Sequence, residues 1–229
     1  MIYLSGKWVD EFRVNGDIGM LCQPNYPVPP QEGISWAADT GIFGTMPFSL
    51  DRYLEKLGTW QTERSRCLFA TAPDVVADWE KTLKTSMPVM PAIRDLGYRA
   101  ALVLQDGATS ATVPWNDIDA VFTGGSTEWK LSEEAYRLVQ EAKDRGLWAH
   151  MGRVNSLRRL RAAHMGGYDS ADGTFVVFGP DKNAPHVMRW MNSLTKEPTM
   201  ELFSYGSYRS SCVGIERGRE GPDSDVSWA

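Results

Sequence analysis

The feature that most constrains the fold is an alternation. Short apolar runs rich in Ile, Val, Leu and Ala recur at 18–22, 34–38, 67–71, 100–105, 120–123 and 147–151, and several stretches between them read as amphipathic helices. Extended runs separated by helices argue for parallel βα units, because a strand is reached in parallel only through a crossover that returns along the sheet. A weaker run lies near Tyr168, and a barrel of eight needs one more strand, for which 2–4 and 175–178 both qualify. With 229 residues, 42% of them hydrophobic, the chain can bury the core of one small barrel. The expected fold is therefore α/β, a compact or slightly trimmed (β/α)8 TIM-type barrel in a single domain over 1–229.

The clearest helix spans 132–144, where Ala135, Leu138, Val139 and Ala142 fall on one face, with Ser132 at its start and Gly146 at its end. A second spans 155–165, opening on Asn155 or Ser156 and closing at Gly166 and Gly167. Pro73 with Asp74 suggests another helix start. Four prolines within 22–33 indicate a structured loop, and the polar, Gly- and Pro-broken stretch 218–229 reads as a loose tail.

No run of eighteen apolar residues appears, and the N-terminus lacks the pattern of a signal peptide, so a soluble, cytoplasmic protein without membrane contact is expected. Cys22, Cys67 and Cys212 are odd in number and lack zinc-binding spacing, which predicts reduced thiols and no metal. His150, His164 and His186 show no ligand spacing either and read as structural or surface groups. The formal charge of −5 argues against a sequence-blind nucleic-acid coat, and local charge must decide. Arg153, Arg158, Arg159 and Arg161 form one basic cluster, either a solvated helix face or a set of phosphate contacts. The tryptophans fit core packing better than a base-stacking track, with Trp115 and Trp129 the best exceptions.

In a parallel barrel the reactive side chains sit where the strands end. The polar residues ending the apolar runs are Asp39, Asp74, Gln105, Gly124 with Gly125, Met151, then Asp169 and Asp172. Carboxylates gathered at one mouth repel each other and raise at least one pKa, so that one acid holds a proton beside an ionised partner. Strand-end acids also cap the helices that follow, and for any one aspartate both roles remain open.

In this order the segments resemble those of the tRNA-guanine transglycosylases and their DNA-modifying relatives, the 7-deazaguanine DNA transglycosylases of phages and bacteria. Ala38-Asp39-Thr40-Gly41-Ile42-Phe43 is similar to the family's Asp-Ser-Gly-Gly-aromatic element, which implies Asp39 as general acid/base and Phe43 stacked on the base. Ala72-Pro73-Asp74 resembles the strand end bearing the base-reading aspartate, and Gln105 stands where a glutamine contacts the purine edge. Thr123-Gly124-Gly125-Ser126 matches the Gly-Gly turn whose backbone reads the base. His150-Met151-Gly152 is similar to a Leu-Met-Gly whose methionine covers the other face, and Gly167-Tyr168-Asp169-Ser170-Ala171-Asp172 resembles Gly-x-Asp-x-x-Asp, which implies Asp172 as nucleophile.

The likeness spans roughly 18–173 and departs from the family in two ways. Nothing after Asp172 resembles the zinc-binding Cys-x-Cys-x-x-Cys, and Gly173, Thr174 and Phe175 stand where the RNA enzymes carry arginines. Both departures favour DNA over tRNA. The resemblance thus implies exchange of guanine in DNA for a 7-deazaguanine base such as 7-cyano-7-deazaguanine, with no cofactor. Arg153, Arg158 and Arg159 would grip the nucleic acid, helped by a protein partner or a second copy of the chain. A phage-encoded member would act in the host cytoplasm. The alternatives are the same exchange on tRNA, a non-catalytic 7-deazapurine-binding module, and a barrel hydrolase using Asp39 and Asp172 as its carboxylate pair.

Overall fold

The computed structural model describes residues 1–25, 28–42 and 47–194. Its eight strands are β1 (Ile2–Ser5), β2 (Ile18–Cys22), β3 (Trp36–Ala38), β4 (Cys67–Thr71), β5 (Ala100–Leu104), β6 (Ala120–Thr123), β7 (Trp148–Met151) and β8 (Ser170–Gly173). They close in chain order into one parallel barrel, the TIM-type architecture. The seam is the parallel pairing of β1 with β8, which sets Leu4 beside Asp172. Ile2–Ser5 therefore supplies the missing strand, and 175–178 forms a turn.

The helices are α1 (Leu50–Thr59), α2 (Trp79–Ser86), α3 (Met90–Asp95), α4 (Thr127–Lys130), α5 (Glu133–Asp144), α6 (Leu157–Met165) and α7 (Pro180–Leu194). The barrel is trimmed where β1 passes to β2 and β5 to β6, since those connections carry only the single 3-10 turns Asp10–Val14 and Trp115–Asp117, and where β2 passes to β3, with no helix among the described residues. Side chains of Ser49, Asp78, Ser126, Ser132 and Ser156 accept the amide three residues on, each cap being worth about 1 kcal/mol. The helix expected to start at Pro73-Asp74 begins instead at Trp79. The cause is local: Val75 N–H donates to Thr82 Oγ1 and Ser86 Oγ to the Pro73 carbonyl, which holds 73–75 out of the helix and leaves Asp78 as the cap.

Strand alternation divides the apolar residues into two layers. Leu4, Ala37, Phe69, Ala101 and Ala120 fill the barrel, with Phe122 and Trp148 against them. The small alanines leave room for Phe69 and Phe122, which meet edge to face at 6.2 Å. On the outward face of β3, Trp36 is fully buried, packs edge-on against Trp60 and Tyr98, and donates its indole N–H to Glu63 O at 2.8 Å. Truncating it to alanine would cost about 3–5 kcal/mol.

The barrel lies within the unit Met1–Glu197. The expected loose tail at 218–229 and Cys212 lie outside the described residues. Among the described residues no helix is long and apolar enough to cross a membrane. Cys22 and Cys67 are free thiols, and no cluster of three or more His, Cys, Asp or Glu able to hold a metal occurs among the described residues.

Candidate active site at the barrel mouth

Asp39 follows the last residue of β3, and its N–H donates to Cys22 O, extending the sheet by one bond. Between Trp36 and Ala38 the register against β4 shifts by an extra β4 residue, an irregularity of the kind that re-aims side chains at strand ends. The Thr71 hydroxyl ends up 3.4 Å from Asp39 Oδ1, and Gln23 Nε2 donates to Oδ2 at 2.6 Å. Burial pushes the Asp39 pKa up. The Gln23 hydrogen bond opposes that rise, and the negative charge of Asp172 adds to it.

Asp74, beyond β4, is buried, and its Oδ2 accepts from Gln105 Nε2 at 2.6 Å. Burial, then the charge of Asp39, pushes its pKa up to about 7, against the pull of Gln105 and Arg153. Gln105 is fixed from its other end, where Oε1 accepts the N–H of Ala77 at 2.9 Å. Ala77 itself adopts a left-handed φ of 56°, a conformation rare for alanine, and so turns its amide toward the glutamine.

The Gly124-Gly125 turn is demanded by space. A Cβ on Gly124 would lie 2.9 Å from Gln105 Nε2, and Gly125, at φ +73°, would drive one to 2.5 Å from Asp106 Oδ2. Asp106 accepts from both the amide and the hydroxyl of Ser126, which locks the turn.

Asp172 lies on the inward face of β8, 8% exposed. Its Oδ1 is 2.9 Å from His150 Nε2. His150 is fully enclosed, with ring centroids of Phe122 and Phe69 at 4.4 and 5.0 Å. Beside them Lys130, also buried, donates to the Gly152 carbonyl at 2.7 Å. Burial brings its pKa down to about 8, the charge of Arg153 lowers it further, and that of Asp172 raises it.

No protein-family model and no curated protein matches this chain. The site must be read from its own geometry.

Asp39, Asp74, Gln105, Gly124, Gly125 and Asp172 all converge at the C-terminal mouth, tied by direct hydrogen bonds or by mutual charge effects. Arg153 belongs to the same neighbourhood. Exposed, with a left-handed φ of 58°, it acts on both Asp74 and Lys130. Arg159, on α6, reaches Lys130 by charge, whereas Arg158 is exposed on the same helix. Phe43 lies outside the described residues.

Two residues named from the sequence are elsewhere. Met151 is fully buried within the main hydrophobic cluster, since alternation along β7 turns His150 and Gly152 to the axis and Met151 away. It offers no surface to cover a base. Asp169 precedes β8 and sits at the opposite, N-terminal end, paired with Lys143 at 2.6 Å. Two open clefts, of about 320 and 420 Å³, also lie at that end, lined among others by Arg99, Lys143 and Asp169 and by Arg64, Arg66 and Arg99. They are far from the converging carboxyl groups and share none of them.

His150, Lys130, Gln23 and Thr71 are the site residues that sequence reasoning missed. His150 left one readable signal: Trp148 and His150, like Ser170 and Asp172, place polar atoms at period two on strands expected to be neighbours.

Proposed function

We propose that this mouth exchanges guanine in DNA for a 7-deazaguanine base such as 7-cyano-7-deazaguanine, through a glycosyl ester on Asp172. The observation that carries the reading is the unequal pair of acids. Burial and the charge of Asp172 favour a protonated Asp39, while Asp172 itself is held by a hydrogen bond from outside the pair.

As the sugar–base bond breaks, positive charge develops at the anomeric carbon, and an Asp172 oxygen bonds to it. Asp39 gives its proton to the departing guanine. The incoming base then returns a proton to Asp39 as its ring nitrogen attacks the same carbon, and Asp172 leaves as carboxylate. One acid thus works in both directions, and no proton is gained or lost over the cycle.

The edge of the base fits the other pair. Asp74 Oδ2 is occupied by Gln105, which leaves Oδ1 to accept from the N–H groups of a guanine edge. The second Nε2 proton of Gln105 remains to be given to the base carbonyl. Gly124 N–H is committed to Leu104 O at 3.0 Å, so Gly125 is the amide for a ligand. A base within duplex DNA must leave the stack to arrive here, and Arg153, Arg158 and Arg159 are the phosphate contacts of this reading.

The test supplies a guanine-containing oligonucleotide, or tRNA, with 7-cyano-7-deazaguanine and analyses the nucleosides by mass spectrometry. Incorporation into DNA with an adduct on Asp172 supports the proposal. Incorporation into tRNA alone would change the substrate, and base binding without an adduct would make the protein a binding module.

A further inference from the structure

Resting on that reading, we propose that His150 is a positioning residue for Asp172, held by the barrel interior in one tautomer, so that Oδ1 is anchored and Oδ2 is the oxygen that attacks the sugar.

The argument is an inventory of protons. Trp148 Nε1 can only donate, and it donates to Ser170 Oγ at 2.9 Å. Ser170 is fully buried, and its Oγ also lies 2.8 Å from His150 Nδ1. The hydroxyl carries a single proton, and of the two groups in hydrogen-bond contact with it, Trp148 Nε1 and His150 Nδ1, only Nδ1 can accept that proton. Ser170 therefore donates to Nδ1, which must be unprotonated. The ring proton is then on Nε2, directed at Asp172 Oδ1 at 2.9 Å. Any other arrangement leaves a buried hydroxyl proton without an acceptor or sets two donors against each other.

Every donor in the thread Trp148–Ser170–His150 thus points toward the mouth and ends on one carboxylate oxygen. When Asp172 Oδ2 bonds to the anomeric carbon and the base departs, Oδ1 becomes the carbonyl oxygen of the ester and still accepts from Nε2. When the incoming base displaces Asp172, the same N–H stabilises the carboxylate that leaves. His150 keeps its proton throughout. Its contribution is to orient the nucleophile and to ease release of the intermediate, and it touches neither base nor sugar.

The experiment pairs a spectrum with kinetics. In ¹⁵N-labelled wild type near neutral pH, the His150 imidazole should show Nε2 protonated and Nδ1 bare, with the Nε2 signal moving in Asp172→Asn. His150→Leu should lower kcat for exchange by about 10- to 100-fold with KM for the base unchanged, the range seen when supporting hydrogen bonds behind reacting groups are removed. His150→Gln, which can still reach Asp172 with an amide N–H, should recover part of that loss, and Ser170→Ala should fall between them. A proton on Nδ1, or a folded His150→Leu protein exchanging at the wild-type rate, overturns the proposal. If His150→Leu fails to fold, Ser170→Ala and His150→Gln decide the kinetic arm. A wild-type protein that exchanges no base overturns the proposed function and with it the role in catalysis, while the spectrum still decides the tautomer.

Discussion

The two ends of the barrel use aspartate in opposite ways. At the N-terminal end Asp119 is gripped by Arg94 at 2.7 and 3.1 Å and Asp169 by Lys143 at 2.6 and 2.7 Å, and each also accepts a strand amide, from Ala100 and Ala149. At the C-terminal mouth Asp39, Asp74 and Asp172 take hydrogen bonds from Gln23, Gln105 and His150, and among the described residues none forms an ion pair with Lys or Arg. With no Lys or Arg among their donors, the mouth carboxyl groups act on one another, and two are driven toward protonation. Paired acids at one end hold strands together, and acids without a Lys or Arg partner gather at the other, the end where this architecture carries its catalytic groups.

The sharpest way to break that contrast is at Asp172. Asp172→Asn should lower exchange by on the order of 10³-fold or more and abolish the adduct, because an amide neither attacks nor balances the developing charge. Its melting temperature should stay close to wild type. An adduct mapped to Asp39, or full exchange by the variant, would reverse the roles of the two acids.

Asp74 comes next. Asp74→Ala should weaken base binding by roughly 2 kcal/mol or more in a folded protein, measured by calorimetry, since buried edge contacts lose their partner. The raised pKa of Asp74 also fixes the sign of a stability effect. The folded state keeps the Asp74 proton up to about pH 7, whereas the unfolded chain releases it near the ordinary value of about 4, so stability falls as pH rises through that window. Asp74→Asn should flatten that fall in urea titrations across the range, and a variant whose curve parallels wild type would show that Asp74 carries no such shift.

A smaller effect is expected at the other end. Asp169→Ala leaves Lys143 and the Ala149 amide without their acceptor and should cost about 1–2 kcal/mol of stability by denaturant unfolding, with exchange kinetics unchanged. Loss of activity without loss of stability would place Asp169 with the reactive acids after all. Least of all, Arg158→Ala should reduce the salt dependence of DNA binding by about one charge and leave base affinity alone, as read by a salt titration.

The barrel was legible because its strands are bounded apolar runs: 18–22, 67–71 and 120–123 match their strands residue for residue. The strand near Tyr168 is short and carries Ser170 and Asp172, so hydrophobicity does not mark its start, and Asp169 precedes the strand although the sequence pattern sets it at the end. Met151 shows how one step of alternation decides a role. It ends β7 in sequence, yet its direction depends on which neighbour faces the axis. His150 shows no metal-ligand spacing in sequence, and its partners come from the pairing of β7 with β8, which sets His150 opposite Ser170. Gln23 and Thr71 reach Asp39 from neighbouring strands, 16 and 32 residues away in sequence, distances at which no local pattern operates.

The rings of Phe69 and Phe122 that grip His150 rest on a floor of alanines at 37, 101 and 120. Interior volume and the aim of the Asp172 carboxylate are therefore a single mechanical quantity in this barrel. A methyl group added on the floor would lift a ring, the ring would tilt the imidazole, and the tilt would arrive at Asp172 as a misplaced oxygen. Residues far below the mouth can in this way set the position of a carboxylate that they never touch.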